Sequence, residues 1–77
     1  MEMEVYGFKA TVTVSDRTYS GEINELHIVT QAKTLKQLKE RLEEAVELTI
    51  DGILRDPSEA RHYSSSLIKK LGLKIYA

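Results

Sequence analysis

Residues 34–37, Thr-Leu-Lys-Gln, constrain the fold of this chain more than any other stretch. A threonine hydroxyl can accept a hydrogen bond from the backbone N–H three residues on, and a glutamine there can reach back to the threonine's own N–H, the reciprocal capping box of a helix N-terminus. With Thr34 as the cap and Gln37 as its partner, a helix is predicted to begin at Leu35. Leu35, Leu38, Leu42, Ala45, Val46, Thr49, Ile50 and Ile53 then recur three and four apart, while Lys36, Lys39, Glu40, Glu43, Glu44 and Glu47 take the other positions. One stripe of such a helix must lie on a sheet and the rest must meet water. Lys36 with Glu40 and Lys39 with Glu43 have i,i+4 spacing, but lysine N-terminal to glutamate is the weaker order, so these charges are read as a solvated face.

The sheet is expected ahead of the helix. Over residues 6–14 the even positions Tyr6, Phe8, Ala10, Val12 and Val14 alternate with Gly7, Lys9, Thr11 and Thr13, a period of two that describes a strand with one buried face. Ser15 and Asp16 are turn formers, and Tyr19, Gly21 and Ile23 then alternate with Thr18, Ser20 and Glu22, so a second strand is expected to fold back antiparallel. Asn24 and Glu25 interrupt, and the short, partly β-branched run over residues 26–30 is expected as a third strand.

Asp56, Pro57, Ser58 and Glu59 read as a second helix start, with proline at the first helical position and aspartate as its cap. Ala60, Tyr63, Leu67, Ile68 and Leu71 form its narrower stripe, Gly72 is placed to end it, and residues 73–76 are expected to return as a short strand. The fold class is therefore α+β. A three-stranded antiparallel β-meander is packed by a long amphipathic helix, then a second helix and a short C-terminal strand follow, in the order β-β-β-α-α-β. One domain is expected over residues 1–77, with a core over 4–54 and a C-terminal helix and strand over 57–76.

A chain of 77 residues has room for one core only. It buries roughly 60–65% of its unfolded surface, so a partner covering apolar surface would add stability and a homodimer is expected. The chain has no cysteine, which removes disulfides, thiolate metal sites and cysteine nucleophiles and suits a reducing cytoplasm. Acidic residues near the start and the lack of any long apolar run predict neither a signal peptide nor a membrane span. Net charge is −1, yet residues 1–54 carry six Lys/Arg against ten Asp/Glu and residues 55–77 carry five against two. That asymmetry is either a solvated surface or the trace of a charged partner.

Candidate chemistry is sparse. His27 and His62 have no metal-type partner at i+3 or i+4, and the carboxylates are spread over exposed positions rather than converging on a cation. Ser64, Ser65 and Ser66 lie within the expected second helix without a nucleophile-elbow context, and the glycines form no phosphate-binding motif. No catalytic residue, cofactor or metal is expected, and the chain is not read as an enzyme. Arg55, Arg61, His62, Lys69, Lys70 and Lys74 are the basic cluster, with Arg61 and Lys69 in reach of one helix face. Arg61, Lys69, Lys70 and Lys74 are the candidate nucleic-acid patch, against the plainer reading of a solvated helix and tail.

Residues 19–53 resemble the core of the HicB antitoxin family. Gly21-Glu22-Ile23 stands at the end of the second strand, Asn24-Glu25-Leu26 where that family usually has Pro-Asp-Leu, Val29-Thr30-Gln31 in the third strand, and Ala32-Lys33-Thr34-Leu35 where Gly-Asp-Thr-Leu is usual. The chain departs from the pattern at His27 and Ile28, which replace Pro-Gly, at Ala32, which replaces a glycine, and at Gln37 and Leu38, which replace Glu-Ala. The resemblance implies a partial ribonuclease-H-like fold without nuclease activity, contact with a HicA-type RNA-cleaving toxin, and assembly into dimers or tetramers. Glu22, Asn24, Glu25 and His27 are the residues expected to meet a partner. Family members often add a helix-turn-helix or ribbon-helix-helix module; after Pro57 this sequence has too little chain for the first and the wrong element order for the second. The function expected is that of a cytoplasmic, non-catalytic, HicB-like antitoxin or stand-alone relative. The alternatives are a nucleic-acid-binding module built on the basic C-terminal helix, or a self-associating structural domain.

Overall fold

A computed structural model describes residues 1–70. It is an α+β fold with a four-stranded antiparallel sheet, β1 (Glu2–Val5), β2 (Phe8–Ser15), β3 (Thr18–Ile23) and β4 (Ile28–Ala32), whose order in space is the order in sequence. The long helix α1 (Leu35–Arg55) follows, then a 3-10 helix (Pro57–His62) and the short α2 (Ser65–Lys70). The expected strand over residues 73–76 and the Gly72 stop lie outside the described residues.

The expected meander is present with one strand more. Val5 pairs with Phe8, so Tyr6 and Gly7 are a two-residue hairpin loop rather than part of a strand, and β1 precedes them. Tyr6 at φ 50° and Gly7 at φ 81° have the sign pattern of a type I′ turn, which matches the right-handed twist of the strands it joins. Paired residues share a face, so the buried set runs through odd positions in β1, with Val5 buried and Met3 half-buried. It runs through even positions in β2, with Phe8, Ala10 and Val12 buried. The next loop repeats the device one residue later than expected, at Asp16 and Arg17 with φ 48° and 63°, between the pair Ser15 and Thr18.

β3 to β4 is a wider connection. Asn24–Leu26 forms a 3-10 turn that buries Leu26, and His27, at φ 57°, donates its N–H to the Asn24 carbonyl at 3.2 Å. The last strand therefore begins at Ile28, two residues beyond the expected start, because Leu26 plugs the end of the core from a turn instead of from a ladder position.

α1 begins where the capping residues require. The Gln37 N–H donates to Thr34 Oγ1 at 3.1 Å, and the Leu38 N–H closes the first helical turn on the Thr34 carbonyl at 2.9 Å. Leu38, Leu42, Val46 and Ile53 are buried, Ala45, Thr49 and Ile50 are half-buried, and Leu35 stays exposed at the first turn. The helix packs against β4, β3 and β1. It lies close over Gly21 of β3, where a Cβ atom would stand 3.0 Å from Leu42 Cδ1 and 3.2 Å from Leu38 Cδ1. Side-chain hydrogen bonds hold α1 at two margins of the sheet. Arg41 Nη1 donates to the Gln31 carbonyl of β4 at 2.6 Å, and Tyr6 Oη in the first loop donates to Glu47 Oε1 at 3.1 Å. The ion pair on α1 among the described residues is Asp51 with Arg55 at 3.1 Å, with the acid N-terminal as the macrodipole favours; the lysine-first pairs do not close.

The expected second helix breaks in two. Asp56 accepts from the Ser58 N–H at 3.2 Å and its hydroxyl at 2.6 Å, so the start at Pro57 is formed, but the turn that follows is 3-10. Tyr63 is extended at φ −126° and ψ 153°, and the Ser64 hydroxyl accepts the Leu67 N–H at 3.1 Å, which caps a new helix. Serine competes for nearby backbone donors, which favours caps over helix interiors, and here that tendency interrupts a helical pattern. Leu67 of α2 is 4% exposed and joins the core.

Candidate functional site

Three of the four residues expected to meet a partner fall in the connection between β3 and β4. Asn24, Glu25 and His27 are all exposed there, and Glu22 lies two residues earlier on the open face of the sheet, between Thr11 and Val29. The open face carries Lys9, Thr11, Thr13, Glu22, Val29 and Gln31, the polar half of the strand alternation with one valine in it.

The C-terminal segment reaches this connection. Lys70 Nζ lies 3.8 Å from Glu25 Oε1 and 4.4 Å from the centroid of the Phe8 ring, and the His27 and Tyr63 rings are 5.8 Å apart at 35°. One candidate residue of the basic patch is thus paired with one candidate residue of the acidic turn. With both side chains about half exposed, the ion pair contributes at most about 1 kcal/mol, and its consequence is positional. Leu67 holds α2 against the end of the sheet and Lys70 covers the Phe8 ring.

The basic patch is dispersed by the break at Tyr63 and Ser64. Arg61 belongs to the 3-10 helix and Lys69 to α2, so the helical spacing that put them on one face does not apply. Lys69 is exposed, Lys70 is engaged as described, and Lys74 lies outside the described residues. His62 faces Glu59 at 3.7 Å, a salt bridge only when the imidazole is protonated.

Among the described residues no group of three or more His, Cys, Asp or Glu is placed to hold a metal ion, and no buried side-chain polar atom lacks a partner. No helix of the described residues is long and apolar enough to cross a membrane. Among the described residues, Tyr6 is the one side chain with a resolved change of acidity. Its hydrogen bond to Glu47 raises the phenol above the usual 10.0, with smaller contributions from desolvation and from the charges of Glu47 and Glu43.

Two features escaped sequence reasoning. Tyr63 and Lys70 meet the turn at 24–27 across a long sequence separation, for which local periodicity carries no signal. The Tyr6-Gly7 loop did leave one: the switch of apolar parity from Met3 and Val5 to Phe8 and Ala10. No protein-family model, curated protein or solved structure matches this chain.

Proposed function

We propose that this chain is a HicB-like antitoxin or a stand-alone relative, which binds and neutralises a small, basic, HicA-type RNA-cleaving toxin without catalysis of its own. The observation that carries the reading is the Thr34-capped helix lying across an antiparallel meander, with the Asn24, Glu25 and His27 turn exposed beside it. The acidic excess of residues 1–54 supports it, because opposite charge speeds encounter with a basic partner and suppresses wrong ones. Glu22, Asn24, Glu25 and His27 are the contact residues in this reading. A homodimer belongs to the same proposal and is supported by Val29, 66% exposed on the edge strand β4.

Co-expression with the adjacent open reading frame, followed by pull-down, tests it. A stable complex with a small basic neighbour whose RNA cleavage is suppressed is the expected outcome. Absence of both the neighbour and a complex overturns the reading. Sedimentation at several concentrations tests the dimer, and a monomer throughout removes that part.

A further inference from the structure

Between the end of α1 and the 3-10 helix lies a groove of ≈ 300 Å³ that the antitoxin reading leaves without a role. Its lining combines the buried Ile53 and the half-buried Tyr63 with Leu48, which is 63% exposed. Gly52 lines it as well, in the last turn of α1, where glycine lowers helix stability by up to roughly 1 kcal/mol relative to alanine. A Cβ at Gly52 would meet nothing within 4 Å, so no neighbour among the described residues requires the glycine. Its effect is to leave the helix backbone open to close approach from the groove.

The lining itself carries two carboxylates and no cation among the described residues, while Arg61 lies two residues beyond Glu59 in the same 3-10 helix. Asp56 and Glu59 line the groove, and the C-terminal end of a 21-residue helix adds the negative pole of its macrodipole, although the Gly52 carbonyl is capped by the Asp56 N–H. Arg55, the basic residue of that turn, is taken by Asp51, and His62 offsets Glu59 only when protonated. The bonds from Ser58 to Asp56 come from neutral donors and leave the carboxylate charge in place.

We propose that this groove docks a basic, apolar peptide segment of another protein. One large apolar side chain seats against Leu48, Gly52 and Ile53, and a flanking Lys or Arg faces Glu59 and the end of α1. A second copy of this chain is the competing occupant, and the concentration dependence measured below separates it from a foreign peptide. The inference extends past the antitoxin reading, since it holds for any protein that carries such a segment.

The test is a titration of the isotope-labelled full chain with a short leucine–lysine peptide, and with a control peptide in which glutamate replaces lysine, followed by amide chemical shifts. Saturable changes confined to Leu48, Gly52, Ile53, Glu59 and Tyr63, weakened by added salt and absent with the control, are expected. Gly52→Leu puts a side chain into the open space and is expected to weaken binding by about tenfold or more. Leu48→Ser, at an exposed position, tests the same groove if the leucine variant folds poorly. No saturable change, an equal response to the glutamate peptide, or changes centred elsewhere overturns the proposal. Shifts at Leu48 and Gly52 that follow protein concentration without peptide also overturn it, by assigning the groove to a second copy. None of these outcomes depends on whether a toxin co-purifies, so the two readings fail separately.

Discussion

Gly21 of β3 lies directly under Leu42 of α1, close enough that a Cβ on the strand would stand 3.0 Å from the leucine's Cδ1. Leu38 and Leu42 are both fully buried, so neither can swing aside without displacing the core. Gly21→Ala is therefore predicted to destabilise the protein by about 1–3 kcal/mol through overpacking. A double-mutant cycle with Leu42→Ala, measured by chemical denaturation, is expected to give a favourable coupling because the smaller residue makes room. Strict additivity would remove the close contact as the cause.

Thr34→Ala removes the acceptor for the Gln37 N–H and is predicted to cost about 1 kcal/mol, while Thr34→Ser or Thr34→Asp retains most of the stability. For a chain of this size that is a shift of roughly 4–8 °C in Tm. Equal melting temperatures for the alanine and serine variants would contradict a capping role.

Arg17 is exposed and holds φ 63° in the second hairpin loop, a conformation that costs a side chain roughly 1–2 kcal/mol. Arg17→Gly turns the loop into Asp-Gly, the preferred type I′ pair, and is predicted to raise stability by about 0.5–1 kcal/mol after glycine's own entropic cost. The midpoint of urea unfolding, at unchanged slope, reads this directly.

The legible part of the fold was what short-range patterns encode. The cap at Thr34, the α1 stripe from Leu38 to Ile53 and the alternation through β2 and β3 all depend on residues within a turn or a strand of one another. The strand β1 was hidden because Tyr6 continues the even-numbered apolar series of β2, although it occupies a loop position where aromatic residues are rare. The second helix looked continuous because Ala60, Tyr63 and Leu67 keep helical spacing; the hydroxyl of Ser64, which caps α2, outweighed that spacing. For the site, Asn24, Glu25 and His27 could be singled out from sequence, but their contacts with Tyr63 and Lys70 depend on how α2 docks.

The Tyr6 phenol gives a pH prediction. Its acidity is weakened in the fold chiefly by the hydrogen bond to Glu47, so the protonated phenol is the form the fold favours. The contribution is complete below the unfolded tyrosine value of 10.0 and is lost as pH rises through the higher folded value, which puts the effect in the alkaline range. Ultraviolet titration of tyrosinate should show that Tyr6→Phe removes a phenol ionising above 10.0, and that Glu47→Gln moves it back toward 10.0. An unchanged titration in Glu47→Gln would break the link between the two residues.

Leu67→Ala is predicted to cost about 2–3 kcal/mol and to release α2 ahead of the sheet, since Leu67 is the buried anchor of that helix. Amide exchange should then accelerate at α2 more than at β3, and the Lys70 contact with Glu25 should weaken with it. Uniform acceleration across all elements would make α2 an integral part of one cooperative unit.

Because the spatial order of the four strands repeats their order in the chain, every ladder joins sequence neighbours, and two of the three links are two-residue loops. Little loop-closure entropy stands in the way of the meander, so its assembly belongs on a timescale of about milliseconds or less. The bond from Tyr6 to Glu47, across 41 residues, can close only when α1 has settled across the finished sheet. The geometry therefore carries a chronology, in which the hairpins come early and that distant contact reports the late docking of the helix.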